Sequence, residues 1–227
     1  MVATATQASG IVSGLDEFRA TRAQTLKVAG QLTQQQLEFT AGPNQWSTGE
    51  VLDHMILAER VNRDQITRLI EMTRQGRVPE LNLTISDLNI SVAGVPRRLL
   101  ALFEGPLTFM NMFVPDGLRN YLTRNRLVPF RNPDAATPRR GRSATELFND
   151  LKVSFQQTEM LFRDNADLDY SKLVLRHPLL GSYNVPGLLR FMAAHEQRHQ
   201  SQINNIMASP QFPRPQQSGK GAPHVEL

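Results

Sequence analysis

The 227 residues are 40% hydrophobic, contain no cysteine and carry a formal net charge of +4. That is apolar content for one core, in a single domain of roughly 150–180 residues with tails and an insertion. The missing cysteines exclude disulfides, thiolate ligands and a cysteine nucleophile together, so any metal must be held by histidine, carboxylate or water.

The opening segment, Met1 to Thr6, lacks the basic and apolar regions of a signal peptide, so residues 1–12 read as a flexible N-terminus of a cytoplasmic protein. Leu15, Phe18, Arg22, Leu26, Ala29 and Leu32 recur with roughly helical period and predict a first helix over about 15–32. Gly42-Pro43-Asn44 breaks the chain. Ser47 and Glu50 then spell a capping box, with Trp46 and Val51 placed as a hydrophobic staple, so a second helix starts at Thr48 and stops near Gln75-Gly76. On it Glu50, His54, Ala58, Val61, Gln65 and Leu69 share a mostly apolar face, which turns His54 inward.

Residues 80–142 are irregular and long for a helix connection, with short helices expected near 97–103 and 117–126. They serve as a lid, or as packing and homodimer surface for Phe103, Phe109, Met110, Met112 and Phe113. The apolar run Leu99 to Val114 is broken by Glu104, Gly105-Pro106 and Asn111 and is too short to span a membrane. Arg97, Arg119, Arg124, Arg126, Arg131, Arg139, Arg140 and Arg142 are scattered among Pro, Asn and Asp. That pattern describes a solvated surface or an anion-facing lid rather than a nucleic-acid face.

A second capping box, Ser143 with Glu146, opens a third helix to about Asn165, with Leu147, Leu151, Phe155, Thr158 and Phe162 inward. Asp167 to Val185 reads as a loop, and Pro186-Gly187 begins the last helix. Its inward stripe is Leu188, Phe191, Met192, His195, His199, Gln202, Ile203 and Ile206. The domain is expected to end near residue 208, and residues 209–227 form a Gly/Ser/Pro-rich tail too polar to order itself.

His195-Glu196-Gln197-Arg198-His199 reads in two ways. As H-E-x-x-H it spells a zinc-protease helix, with Glu196 as general base. As geometry it is two imidazoles one turn apart that need a third ligand. Downstream, only His224 and Glu226 in the polar tail are on offer; upstream, His54 already faces inward. Three of the five histidines therefore lie on core-facing stripes of two helices, where a metal would supply the partner that a buried imidazole needs.

The motifs W-S-x-x-E-V-L-x-H (Trp46 to His54), H-P-x-x-G (His177 to Gly181) and H-E-x-R-H-x-x-Q-I (His195 to Ile203) resemble those of the DinB/YfiT-like superfamily of metalloenzymes. The resemblance covers most of the chain apart from residues 80–142 and the termini. It implies an all-α, up-down-down-up four-helix bundle and a zinc or nickel ion held by His54, His195 and His199. It also implies a transferase, in some relatives one that uses a low-molecular-weight thiol, or an isomerase; on chemistry, metal-dependent hydrolysis of a small molecule fits as well. A divalent ion with open positions can acidify water, polarise a substrate oxygen or hold a thiolate for attack. The competing reading is a non-catalytic metal-binding or stress-response module.

Around such a site Gln202 is placed to orient a ligand or a water, or simply to join two helices. Glu196 serves as a base only where the bundle leaves a channel. Glu50 is accounted for by its cap. His177 reads as structural or as a pocket rim, and Asp53 and Arg198 read as surface residues.

Overall fold

In a computed structural model, residues 2–43, 45–84, 136–177 and 181–214 are described, the side chains of residues 2–9 excepted. The expected short helices inside 80–142, and the choice there between lid and packing surface, lie outside the described residues.

Among the described residues, four long helices make the domain: α1 (Val2–Ala29), α3 (Thr48–Arg74), α4 (Ala144–Asp164) and α5 (Val185–Met207), with a short α2 (Gln34–Glu38). Both capping boxes form as spelled. The Ser47 hydroxyl accepts from the Glu50 N–H while Glu50 accepts from the Ser47 N–H, and Ser143 and Glu146 repeat the exchange. Asn184 caps α5 by accepting from the Gly187 N–H at 2.9 Å.

The side-chain pairings give the helix directions. Gly14 meets Leu189 and Arg22 meets Glu196, so α1 and α5 run parallel. Gly49 meets Leu147 and Glu59 meets Thr158, so α3 and α4 also run parallel. Phe18 against Phe155 and Gly30 against Phe148 make α1 and α4 antiparallel. This is the up-down-down-up bundle, with α1, α5, α3 and α4 in cyclic order.

Helix α1 begins at Val2, well before the expected Leu15. Tertiary packing explains the extension. Ile11 and Leu15 rest on the core, and a Cβ at Gly14 would stand 3.1 Å from that of Leu189, so glycine lets the two parallel helices close up. Past α5 the chain stays in contact with the bundle, as the Phe212 ring packs 5.4 Å from that of Phe39.

The segment read as a loop before α5 contains two strands. β2 (Val174–His177) pairs antiparallel with β3 (Gly181–Asn184) and parallel with β1 (Glu80–Asn82). Four-residue strands are too short to show a period in sequence. They form because Leu173, Leu175, Tyr183 and Val185 all bury against Ile66, Leu69 and Phe162 at one end of the bundle.

The core falls into two apolar clusters. One gathers Phe18, Ile66, Leu69, Phe155, Leu189 and the sheet. The other gathers Val51, Leu52, Met55, Leu147, Leu151 and Ile203. Between them lies a buried polar belt of Arg22, Thr25, Glu59, Thr158, Glu196 and the histidines.

His177 ends β2, where desolvation pushes its imidazole down to about 4 from an ordinary value near 6.5. Below pH 6.5 the unfolded chain takes up this proton and the folded chain does not. Stability should therefore fall as pH drops from 6.5 to about 4, with a slope approaching ~1.4 kcal/mol per pH unit from this group. Urea unfolding of His177→Gln should show a shallower decline over that window than wild type, and parallel profiles would refute the assignment.

Candidate metal centre

Antiparallel packing brings the N-terminal half of α3 beside the middle of α5, and His54 meets His195 and His199 there. His54 and His199 are each 2% exposed, and His195 is half-buried. Ring centroids stand 5.3 Å (His54–His195), 4.8 Å (His54–His199) and 4.5 Å (His195–His199) apart. One nitrogen from each ring lies within 4.8 Å of the other two. The Nε2 atoms of His195 and His199 are 3.2 Å apart, close to the roughly 3.3 Å that two bonds of about 2.0–2.1 Å to a tetrahedral ion would give.

The outer nitrogens set the tautomers. His54 Nδ1 stands 2.7 Å from the carbonyl oxygen of Ala136. A carbonyl only accepts, so Nδ1 carries the proton and Nε2 keeps its lone pair. That Nε2 is buried with no hydrogen-bond partner among the described residues. His199 Nδ1 lies 3.0 Å from Gln202 Oε1, which leaves its Nε2 turned toward His195. Burial lowers the His54 pKa, more than the Ala136 bond restores, and the Arg198 charge lowers it further. Burial, then repulsion from the neighbouring histidines, holds His195 well below its ordinary value. Three imidazoles with one nitrogen each converging on a common point are a donor set that a divalent cation takes once they are deprotonated, and the residues present fit one. The Trp46 ring covers His54 at 5.0 Å.

The belt beside these rings centres on Arg22, a side chain 1% exposed that reaches the other three long helices. Its Nε and one terminal nitrogen donate to Glu196 on α5, at 2.9 and 2.7 Å. The other terminal nitrogen donates to Glu59 on α3 at 2.9 Å and to the Leu151 carbonyl on α4 at 2.6 Å. Thr25 donates to Glu196 at 2.5 Å and Thr158 to Glu59 at 2.7 Å. Burial alone would push the guanidinium pKa down, but the charges of Glu196 and Glu59 reverse this and raise it.

A sequence profile of the DinB superfamily matches residues 17–203. The chain belongs to the DinB superfamily. No curated protein and no solved structure matches it.

Within this DinB-superfamily domain the expected ligands His54, His195 and His199 come together, and Gln202 bonds to one of them. Glu196 lines the same cleft as His195, but its two oxygens are engaged by Arg22 and Thr25. Glu50 keeps its cap and also pairs with Arg140 at 2.9 Å. Asp53, expected on the surface, is 0% exposed. The Arg139 backbone N–H and the Arg142 guanidinium bond its carboxylate at 2.8 and 2.7 Å. Burial would raise its pKa, yet those two bonds bring it below the ordinary value. Arg198, also expected on the surface, is half-buried. Sequence reasoning missed Glu59 and Ala136. The available signal for Glu59 was Arg22 at a core position of the first helix, since a buried guanidinium needs a carboxylate opposite it.

Proposed function

We propose that this domain is a metal-dependent enzyme acting on a small molecule: a transferase using a low-molecular-weight thiol, or a hydrolase. His54, His195 and His199 would hold a zinc or nickel ion. One observation carries the reading: the His54 Nε2 is buried without a hydrogen-bond partner among the described residues, its tautomer fixed by Ala136, and it faces two more imidazoles. Such an ion supplies Lewis-acid chemistry, polarising an oxygen or holding a thiolate.

The chain's own residues do the rest. Ala136 and Gln202 hold the imidazole tautomers, and Trp46 and Phe191 flank the rings. A cleft lined by Met55, Ala58, Asn62, Met192 and the Arg22-bound Glu59 and Glu196 reaches His195. With no cysteine in the chain, a thiol nucleophile has to arrive as a cosubstrate. Engagement of Glu196 by Arg22 disfavours the H-E-x-x-H protease reading, which needs that carboxylate free as a base.

The small size of the cleft, with room for about one water, favours the second reading, a non-catalytic metal-binding or stress-response module. Metal analysis of mildly purified protein should find about one divalent ion per chain. A screen of small electrophiles with bacillithiol, mycothiol and glutathione should then show turnover with one of them. Turnover indifferent to thiol leaves the hydrolase, turnover of nothing leaves the module, and absence of bound metal overturns both.

A further inference from the structure

The carbonyl that fixes His54 belongs to residue 136, which opens a described stretch of chain running into α4. Residues 137–142 form neither helix nor strand. Their place is set by the first two turns of α3. The Arg139 N–H donates to Asp53 Oδ2 at 2.8 Å, and Arg140 Nε donates to Glu50 Oε1 at 2.9 Å. Gly141, at φ 73°, takes the left-handed turn that brings Arg142 back. Arg142 then donates to Asp53 Oδ1 at 2.7 Å and to Asp150 of α4 at 2.5 Å. Asp53 thus accepts from two points of one strap, and the same strap delivers Ala136, 3% exposed, onto His54.

A merely solvated carboxylate at position 53 would not be fully buried, nor would it collect a backbone N–H and two guanidinium groups. Asp53 also immediately precedes the metal ligand, so one helical turn carries both the ligand and the anchor of the group that orients it.

We propose that Asp53 and Arg142 are positioning residues for the metal centre, seating the 136–142 strap so that the Ala136 carbonyl holds His54 in its Nδ1–H tautomer with Nε2 free to ligate. The proposal rests on the reading that His54, His195 and His199 hold a divalent ion.

The test uses the full chain with Zn²⁺ and Co²⁺ as probes. In the metal-free wild type, long-range proton–nitrogen NMR should show His54 as a single Nδ1–H tautomer. In Asp53→Asn and Arg142→Gln that signature should become a mixture. Zn²⁺ affinity, from competition with a chromophoric chelator, should fall roughly 10–100-fold, as for loss of other groups that orient a ligand. The visible absorption of the Co²⁺ form should shift, and Arg142→Lys should recover part of the affinity. A variant of lower melting temperature that keeps the wild-type tautomer, Zn²⁺ affinity and Co²⁺ spectrum makes Asp53 and Arg142 merely structural and overturns the proposal. Should Asp53→Asn fail to fold, Arg142→Gln alone decides. Failure of the wild type to bind either ion would instead strike the metal reading, while the tautomer measurement still judges the strap.

Discussion

Replacing Arg22 with methionine should destabilise the metal-free protein by about 3–5 kcal/mol, the cost of leaving buried carboxylates without their cation. Glu59 and Glu196 sit 3% and 2% exposed against a guanidinium that is itself 1% exposed. Removing it leaves both carboxylates without a cation, with only Thr25 and Thr158 still donating to them. The alkyl stem and the contact with Phe18, whose ring lies 5.3 Å from the guanidinium carbon, are largely replaced by methionine, so lost packing is a small part of the effect. Urea unfolding in the presence of a chelator measures the change. Removing all three charges together, as Arg22→Met with Glu59→Met and Glu196→Met, should recover most of the loss, because apolar groups of similar volume pack without a desolvation penalty. A single-variant loss below about 1 kcal/mol would show that water relaxes the belt.

His54→Ala should abolish the stabilisation that zinc gives the fold. A ligand bound only by the native state contributes about 2.7 kcal/mol at a hundred times its dissociation constant. Wild type should therefore melt several degrees higher in excess zinc, whereas His54→Ala and His199→Ala should melt almost independently of it. Their zinc affinities should fall further than the roughly 10–100-fold expected for Gln202→Ala, which removes only the group bonded to His199. An undiminished zinc shift in His54→Ala would confine binding to the pair on α5 and break the three-histidine centre.

The capping boxes at Ser47 and Ser143 made the starts of α3 and α4 legible, because capping is local chemistry that needs only the four residues that spell it. The stripe of α5 was legible for a different reason. That helix is wedged between α1 and α3, so its Leu188, Met192, His199, Ile203 and Ile206 all bury as the helical period requires. The centre followed from those two facts, since an inward His54 and an i,i+4 pair have few ways to be satisfied.

What stayed hidden depends on long-range pairing. On α3 the wheel picked out Val61, Gln65 and Leu69; Leu69 is buried as expected, but Val61 and Gln65 are only half-buried, and the other buried positions further along are Glu59, Ile66 and Ile70. The helix turns its face to meet Arg22 and the sheet, and nothing local reports that. Asp53 lies off the apolar stripe and looks like a solvated charge until a segment some 86 residues away closes over it. The β2–β3 hairpin is missed because its side chains become inward-facing only against Phe162 and Leu69.

The belt at mid-height also answers a mechanical question. Rods joined only by leucine and valine can slip one turn, about 5.4 Å, and still bury oil against oil. Such a slip would carry Arg22 out of reach of both acids and into hydrocarbon, so the guanidinium works as an indexing pin through four rods. The imidazoles neighbour the pin, since His195 directly precedes the Glu196 that Arg22 holds, and a fixed register between rods is what nitrogen donors from separate rods need to share one ion.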